Sequence, residues 1–313
     1  MQTARTASGV PASHSDLLDR QLPAVLTTQM PDGRWQSIVV WFLRDGSDLL
    51  VDTMREFRKA RNLSARPRAT LLVVDPADER WVEIRARVTP EQRDPLALLD
   101  EMGRAYTGVA PYFGRVVPAE LAEREHPVAY RLIPVRVNAG PAYFYGSSGH
   151  GAGEGAPPVP GPVPAPGGPR SCADEPTIPE THRDLLRRPL WVALATTLPG
   201  GGAQTQPVWC SLDGNDVLVN TTMQRREGRN LVADPRATVL AIDPGDSSRW
   251  IEIRGDVELT GEGALEHLDR LTEQYTGRPH YYGAIYPDTQ RRYETRVIAR
   301  IHPRRILCDA IHR

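Results

Sequence analysis

Lys59 is the only lysine in a chain of 313 residues. It stands in the run Arg55-Glu56-Phe57-Arg58-Lys59-Ala60-Arg61-Asn62-Leu63. On a helix, Arg58 and Arg61 lie one turn apart, and so do Arg55 and Lys59. A basic cluster at a helix start suits an anion, because free amides and the helix dipole already favour negative charge there. Arginine grips a phosphate with a planar fork, and lysine adds a compact charge. The same residues also make an ordinary solvated basic face, which is common on short helices. The residues alone leave both readings open.

Other chemistries leave no comparable mark. The sequence has no glycine-rich phosphate loop of the Walker or dinucleotide type and no G-x-S-x-G elbow. It has no HExxH and no Cys-x-x-Cys. His126, His182, His267, His280 and His302 share no spacing that suggests a metal. Cys172, Cys210 and Cys308 are scattered, which argues against a disulfide framework.

Composition sets the class. With 38 basic and 39 acidic residues, the chain gives no bulk electrostatic reason to expect nucleic acid or a membrane surface as partner. The first residues lack the apolar stretch of a signal peptide, and no run approaches the ~20 apolar residues of a spanning helix. The expectation is a cytoplasmic protein acting on a small molecule.

The elements that must position the cluster come in two copies. Val39–Pro76 aligns with Pro207–Pro244 at a constant offset of 168. After a one-residue insertion, Arg80–Val88 aligns with Arg249–Val257 at 169. Trp41 meets Trp209, Asn62 meets Asn230, and Tyr106 meets Tyr275. This density of ordered matches is an internal duplication. The expected domains are residues 14–145 and 177–313. The glycine- and proline-rich tract between them, 146–176, reads as a flexible linker.

Each copy reads as the same order of elements. A short strand (Ala24 onward; Trp191 onward) leads through a turn into one long alternating strand, Gln36–Gly46 in copy one, which ends in an Asp-Gly hairpin signal. A short helix follows, with Thr53/Glu56 and Thr221/Gln224 spaced as capping boxes. Two branched or alternating strands, an amphipathic helix and a last strand complete the unit. Many short hairpin-linked strands with few helices predict a mainly β fold, a closed or split antiparallel barrel, twice over.

The pattern of Pro-Val-Trp, Asp-Gly, Arg-Lys-Ala-Arg-Asn-Leu, Asp-Pro-Arg-Ala and Glu-Ile-Arg-Gly resembles the pyridoxamine 5'-phosphate oxidase-like split-barrel flavoproteins. The nearer likeness is to the branch that uses the deazaflavin coenzyme F-420. The resemblance covers both copies. It implies that Arg58 and Lys59 hold a cofactor phosphate, with Thr53, Arg55 and Asn62 nearby. It also implies that the strand Ser37, Val39, Val40, Trp41 runs along the ring system. In copy two the corresponding residues are Gln206, Pro207, Val208, Trp209, Thr221 and Arg226. The copies depart from the pattern differently: copy one has Val40 in place of proline, and copy two has Glu227 in place of the lysine. The implied activity is hydride transfer by coenzyme F-420, or alternatively FMN, to or from a small organic substrate. Family members are dimers, so a fused duplicate implies a monomer acting as a pseudo-dimer with unequal sites. The alternative is a non-catalytic cofactor-binding barrel, or a haem-binding one with a histidine ligand.

Overall fold

The computed structural model describes residues 9–75, 77–141 and 176–309. The expected linker falls almost wholly outside them. The chain divides into two compact units, Met1–Ala142 and Tyr143–Arg313. Among the described residues no helix is long and apolar enough to cross a membrane.

Unit 1 contains β1 (Ala24–Gln29), β2 (Trp35–Val40), β3 (Leu43–Asp45), β4 (Asp48–Met54), α1 (Arg58–Ala65), β5 (Arg68–Asp75), β6 (Arg80–Pro90), α2 (Pro95–Thr107) and β7 (Pro127–Pro141). Its strands form one antiparallel sheet in the order β2-β1-β5-β6-β7-β4-β3. Unit 2 contains α3 (Glu180–Arg187), β8 (Val192–Thr197), β9 (Ala203–Val208), β10 (Cys210–Asp213), β11 (Asp216–Thr222), α4 (Arg226–Ala233), β12 (Arg236–Asp243), β13 (Asp246–Thr260), α5 (Ala264–Thr276) and β14 (Arg296–Cys308). Its sheet order, β9-β8-β12-β13-β14-β11-β10, is that of unit 1 strand for strand. The fold is mainly β, a split barrel in each copy.

The expected single long strand is two strands. β2 and β3 follow each other in the chain yet lie at opposite edges of the sheet, so the sheet curls until its edges meet at residues 41 and 42. The backbone freed at this break is held by a tyrosine. The Tyr106 hydroxyl accepts the Phe42 amide at 3.3 Å and lies 3.1 and 3.2 Å from the Phe42 and Leu22 carbonyls. Tyr275 does the same in unit 2, 3.1 Å from the Cys210 amide and 2.9 Å from the Leu190 carbonyl. Buried backbone groups need partners, and these two hydroxyls supply them. Their role is architectural.

The hairpin signal holds. Asp45 pairs with Asp48 and Asp213 with Asp216 across two-residue loops, and Gly46 and Gly214 take φ of 61° and 59°. The capping boxes do not hold. α1 starts at Arg58, and Phe57 caps it with no side-chain bond. A turn closed by the Phe57 amide on the Met54 carbonyl precedes the helix. Glu56 instead accepts the His126 amide at 3.0 Å, and Gln224 accepts the Thr295 amide at 2.9 Å. Both tie the turn to the segment entering the last strand.

Each barrel interior is filled by alternate residues of its strands. Leu49, Leu71, Val82, Ile84 and Leu132 in unit 1, and Val217, Val239, Ile251, Ile253 and Ile301 in unit 2, are fully or almost fully buried. Burial of one such side chain is worth ~1.5–3 kcal/mol. α2 and α5 lie against β4 and β7, and against β11 and β14, respectively. α2 is capped by Asp94, which accepts the Leu96 and Ala97 amides, and ends at Gly108 in the left-handed conformation.

Candidate functional site

α1 divides the cationic run between its two faces. Arg58 and Arg61 are exposed, as is Arg55 in the preceding turn. Among the described residues none of these three side chains pairs with a carboxylate. Elsewhere arginines are heavily paired: Arg80 closes on Asp16 and Asp78, and Arg131 on Asp45, Asp48 and Glu91.

Lys59 turns the other way. It is 7% exposed, and its Nζ lies 5.1 Å from the centre of the Phe57 ring. Consecutive helical residues point ~100° apart, so Arg58 and Lys59 do not converge on one point. Burial pushes the Lys59 amine down to about 8, against the pull of Asp52 and Glu125. Burial pushes the Asp52 carboxyl, on β4, up to about 8, although the Thr53 amide and the Lys59 charge both favour its ionised form. Glu125 is itself buried. The single lysine thus stands among two acids under the helix.

The remaining candidates of copy one fall into place around it. Thr53 is buried on β4. Asn62 donates to Thr28 Oγ1 at 3.0 Å and to Gln36 Oε1 at 3.1 Å, which spends both its N–H donors on tying α1 to β1 and β2. Asn230 makes the same two bonds in unit 2, at 2.9 and 3.1 Å. Ser37 is buried beside Thr27, Oγ to Oγ1 at 2.9 Å. Val40 is buried and Val39 half-buried. Trp41, at the strand break, stacks on Tyr106 at 5.2 Å and meets Tyr112 edge-on at 6.3 Å.

Unit 2 keeps the aromatic frame and changes the charges. Trp209 stacks on Tyr275 at 5.0 Å and meets Tyr281 edge-on at 6.5 Å. Gln206, Pro207 and Val208 are buried on β9, and Gln206 Oε1 accepts Gln204 Nε2 at 2.6 Å. Arg226 is exposed like Arg58. Glu227, in the lysine's place, is buried, and its Oε1 accepts the Thr221 hydroxyl at 2.8 Å.

A cleft opens in unit 2 beside Trp209. It is lined by Val208, Trp209, Leu268, Leu271 and Tyr281, with Asn220, Arg225 and Arg296 as its polar members, and its free space is about 20 Å³, room for roughly one water. Arg296 is 6% exposed. Its Nε donates to the Tyr282 hydroxyl at 2.9 Å, its Nη2 to Glu294 Oε2 at 2.5 Å and its Nη1 to Asn220 Oδ1 at 3.4 Å. The guanidinium also lies 4.8 and 5.4 Å from the ring centres of Tyr281 and Tyr282. Arg225 and Arg296 help hold Glu294 below its usual value, against its burial.

Asp52, Glu125, Asn220, Arg225, Glu294 and Arg296 were not among the candidate residues drawn from the sequence. A signal for most of them was present. At 52/220, 57/225, 59/227 and 127/296 the repeats pair Asp with Asn, Phe with Arg, Lys with Glu and Pro with Arg. The clustering of these positions shows only once β4 is paired with β7 and β11 with β14, which sets Met54 beside Pro127 and Thr222 beside Arg296.

Comparison with known proteins finds a family model, described as pyridoxamine 5'-phosphate oxidase, that matches residues 10–137 and again residues 178–307. Among solved structures, an F-420 reductase is similar at 28% identity, over 42% of this chain and 98% of its own, with a TM-score of 0.36. A conserved hypothetical protein from Mycobacterium tuberculosis is similar at 25% identity, over 45% of this chain and 89% of its own, with a TM-score of 0.33. The heme storage protein HutZ from Vibrio cholerae is similar at 17% identity, over 44% of this chain and 95% of its own, with a TM-score of 0.32. No curated protein matches.

Proposed function

We propose, from the premise that this chain belongs to the pyridoxamine 5'-phosphate oxidase family, that it is an oxidoreductase whose first unit holds the phosphate of coenzyme F-420, or of FMN, at Arg55, Arg58 and Arg61, with Lys59 beneath the helix. The observation that carries the reading is the set of three exposed guanidiniums around the start of α1, none paired with a carboxylate among the described residues. Unpaired arginines on one short surface favour a multiply charged oxyanion, to which each can donate two charge-assisted hydrogen bonds. Unit 2 has Met223 in place of Arg55 and only Arg226 and Arg229 exposed, its further Arg225 being half-buried and turned to the Trp209 cleft. The anionic end of one cofactor is therefore assigned to unit 1.

Lys59 acts from beneath. Its charge opposes that of Glu125, and that of Asp52 once this burial-raised carboxyl ionises near pH 8, either of which would otherwise repel a phosphate approaching the helix. Ser37, Val39, Val40 and Trp41 are the proposed neighbours of the ring system in unit 1, Gln206 to Trp209 stand at the equivalent place in unit 2, and Thr53, Asn62 and Thr221 lie in or tie down the strands and helices that carry each place. A bound deazaflavin or flavin supplies hydride transfer with a small organic substrate. The chain's contribution is binding, orientation and exclusion of water, which requires no side-chain acid or base of its own.

The test is an absorbance spectrum after incubation with F-420 or with FMN and removal of free cofactor. Retention of one cofactor per chain is expected. Arg58→Ala is expected to weaken binding by about tenfold or more, the worth of one charged hydrogen bond; Lys59→Ala is expected to weaken it through the loss of a buried positive charge beneath the helix, and Glu227→Ala much less. Retention of neither cofactor at micromolar concentration would sink the proposal. Binding without reduction of any enone, imine or quinone acceptor would reduce it to a carrier.

A further inference from the structure

The turn that carries Arg55 leaves β4 at Met54, opposite Pro127 of β7. It is fastened to residue 126 from both sides. The Arg55 amide donates to the His126 carbonyl at 2.8 Å. In return the His126 amide donates to Glu56 Oε2 at 3.0 Å, and the ring Nδ1 of His126 lies 2.8 Å from Glu56 Oε1. The bond from the His126 amide holds the Glu56 carboxyl down at about 2, so Glu56 is an anion throughout the neutral range. This anion stands inside a run of free cations, one residue after Arg55 and two before Arg58. Among the described residues it nevertheless pairs with His126 and with no arginine. Elsewhere in the chain an acid two residues before an arginine closes on it: Glu83 on Arg85 at 3.1 Å, Asp234 on Arg236 at 2.6 Å, and Asp78 on Arg80. Unit 2 makes the same clasp without a charge. The Met223 amide donates to the Thr295 carbonyl at 3.0 Å, and Gln224 Oε1 accepts the Thr295 amide at 2.9 Å.

We propose that Glu56 is the positioning residue of the anion site at α1: its clasp on His126 fixes the turn that carries Arg55 and keeps its own carboxylate from closing on Arg58. The inference rests on the reading of Arg55, Arg58 and Arg61 as the phosphate grip. An arginine paired with a neighbouring carboxylate has its charge offset and its N–H donors occupied, so it has less to offer a phosphate. A guanidinium on a loose turn must also be ordered when the ligand arrives, a cost that a turn already fixed avoids. The neutral clasp of Gln224 shows that an amide oxygen serves the backbone end of the contact, so the reach of the side chain can be separated from its charge. Reach is the deciding property. The side chain must span from the turn to residue 126, and a carboxylate one methylene shorter stays on the near side of that gap. It then has the spacing to Arg58 that Asp78 and Asp234 have to the arginines they hold.

The test is a titration of the full chain with FMN and with coenzyme F-420, followed by the change in cofactor fluorescence. Glu56→Asp keeps the charge and shortens the arm. It is expected to bind cofactor about tenfold more weakly than the parent, the loss assigned to Arg58→Ala. Glu56→Gln keeps the arm and removes the charge, and it is expected to bind up to about threefold more tightly, the worth of one exposed charge. A site governed by charge alone would leave Glu56→Asp equal to the parent. A turn that is merely slackened would lose affinity whether or not Arg58 is present. In the Arg58→Ala background, Glu56→Asp is therefore expected to add much less than tenfold. Circular dichroism monitors folding, and Glu56→Gln, which copies the clasp of unit 2, tests the proposal by itself. Glu56→Asp binding as tightly as the parent, Glu56→Gln binding more weakly than the parent, or the full loss recurring in the Arg58→Ala background would each overturn the proposal. A parent that binds neither cofactor removes the cofactor reading and this inference with it. A parent that binds, matched by Glu56→Asp, removes this inference alone.

Discussion

Replacing Asp52 with asparagine, the residue unit 2 carries at the equivalent position, tests the buried charge cluster directly. Burial pushes the Asp52 carboxyl from 3.8 up to about 8. The folded pKa lies above the unfolded one, so the folded state binds the extra proton and stability falls as pH rises from about 4 to about 8. Each pH unit over that span costs up to ~1.4 kcal/mol, which sets a ceiling of roughly 5 kcal/mol by pH 7.5. Asparagine binds no proton and pays none of this. Lys59 loses a favourable neighbour in the variant, which takes back part of the gain. We therefore expect Asp52→Asn to match the parent near pH 4 and to exceed it by about 2–5 kcal/mol at pH 7.5. Above pH 8 the parent acquires an opposite slope from Lys59. Its folded pKa of about 8 lies below the unfolded 10.5, so its burial penalty fades as pH rises through that range. The assay is urea denaturation at pH 4, 6 and 7.5, with hydrogen exchange of β4 and β7 amides assigning the transition to unit 1. A stability gap that stays flat across this range, or a variant less stable at pH 7.5, would refute the reasoning.

Two further outcomes test the frame of the site. Gly228→Ala places a Cβ 2.1 Å from the Thr222 carbonyl oxygen, although unit 1 accommodates Ala60 at the matching place; a loss of about 2–3 kcal/mol in unit 2 is expected by urea denaturation. Tyr275→Phe removes the hydroxyl that serves the Cys210 amide and the Leu190 carbonyl. It should cost ~2 kcal/mol and speed exchange of the Cys210 amide.

The duplication, most of the succession of elements along each copy and both long helices could be read from the chain because each rests on local pattern: alternation, apolar spacing and turn residues repeated at a fixed offset. The break between β2 and β3 could not. Alternation runs on through Trp41 and Phe42, and the break exists because Tyr106, more than sixty residues later, satisfies the Phe42 amide. The same holds for Glu56, whose spacing from Thr53 fits a capping box but whose carboxylate goes to the His126 amide. In the candidate site, the separation of Arg58 from Lys59 follows from helical geometry alone. The acids that face Lys59 needed the sheet, since Asp52 reaches the helix from β4 and Glu125 from the segment entering β7. The Trp209 cleft was hidden because attention to a repeat falls on what the copies share, and this cleft is made of what they do not.

The exchange of Lys59 for Glu227 also bears on how such a gene can change. Two near-copies in one reading frame invite gene conversion, in which one copy overwrites a patch of the other. A patch carrying only the α4 codons into the first half would set a third carboxylate beside Asp52 and Glu125 and remove the sole cation between them. A protein so altered would fold poorly, and the event would be purged. The buried charges thus act as a barrier to homogenisation, leaving each half free to specialise.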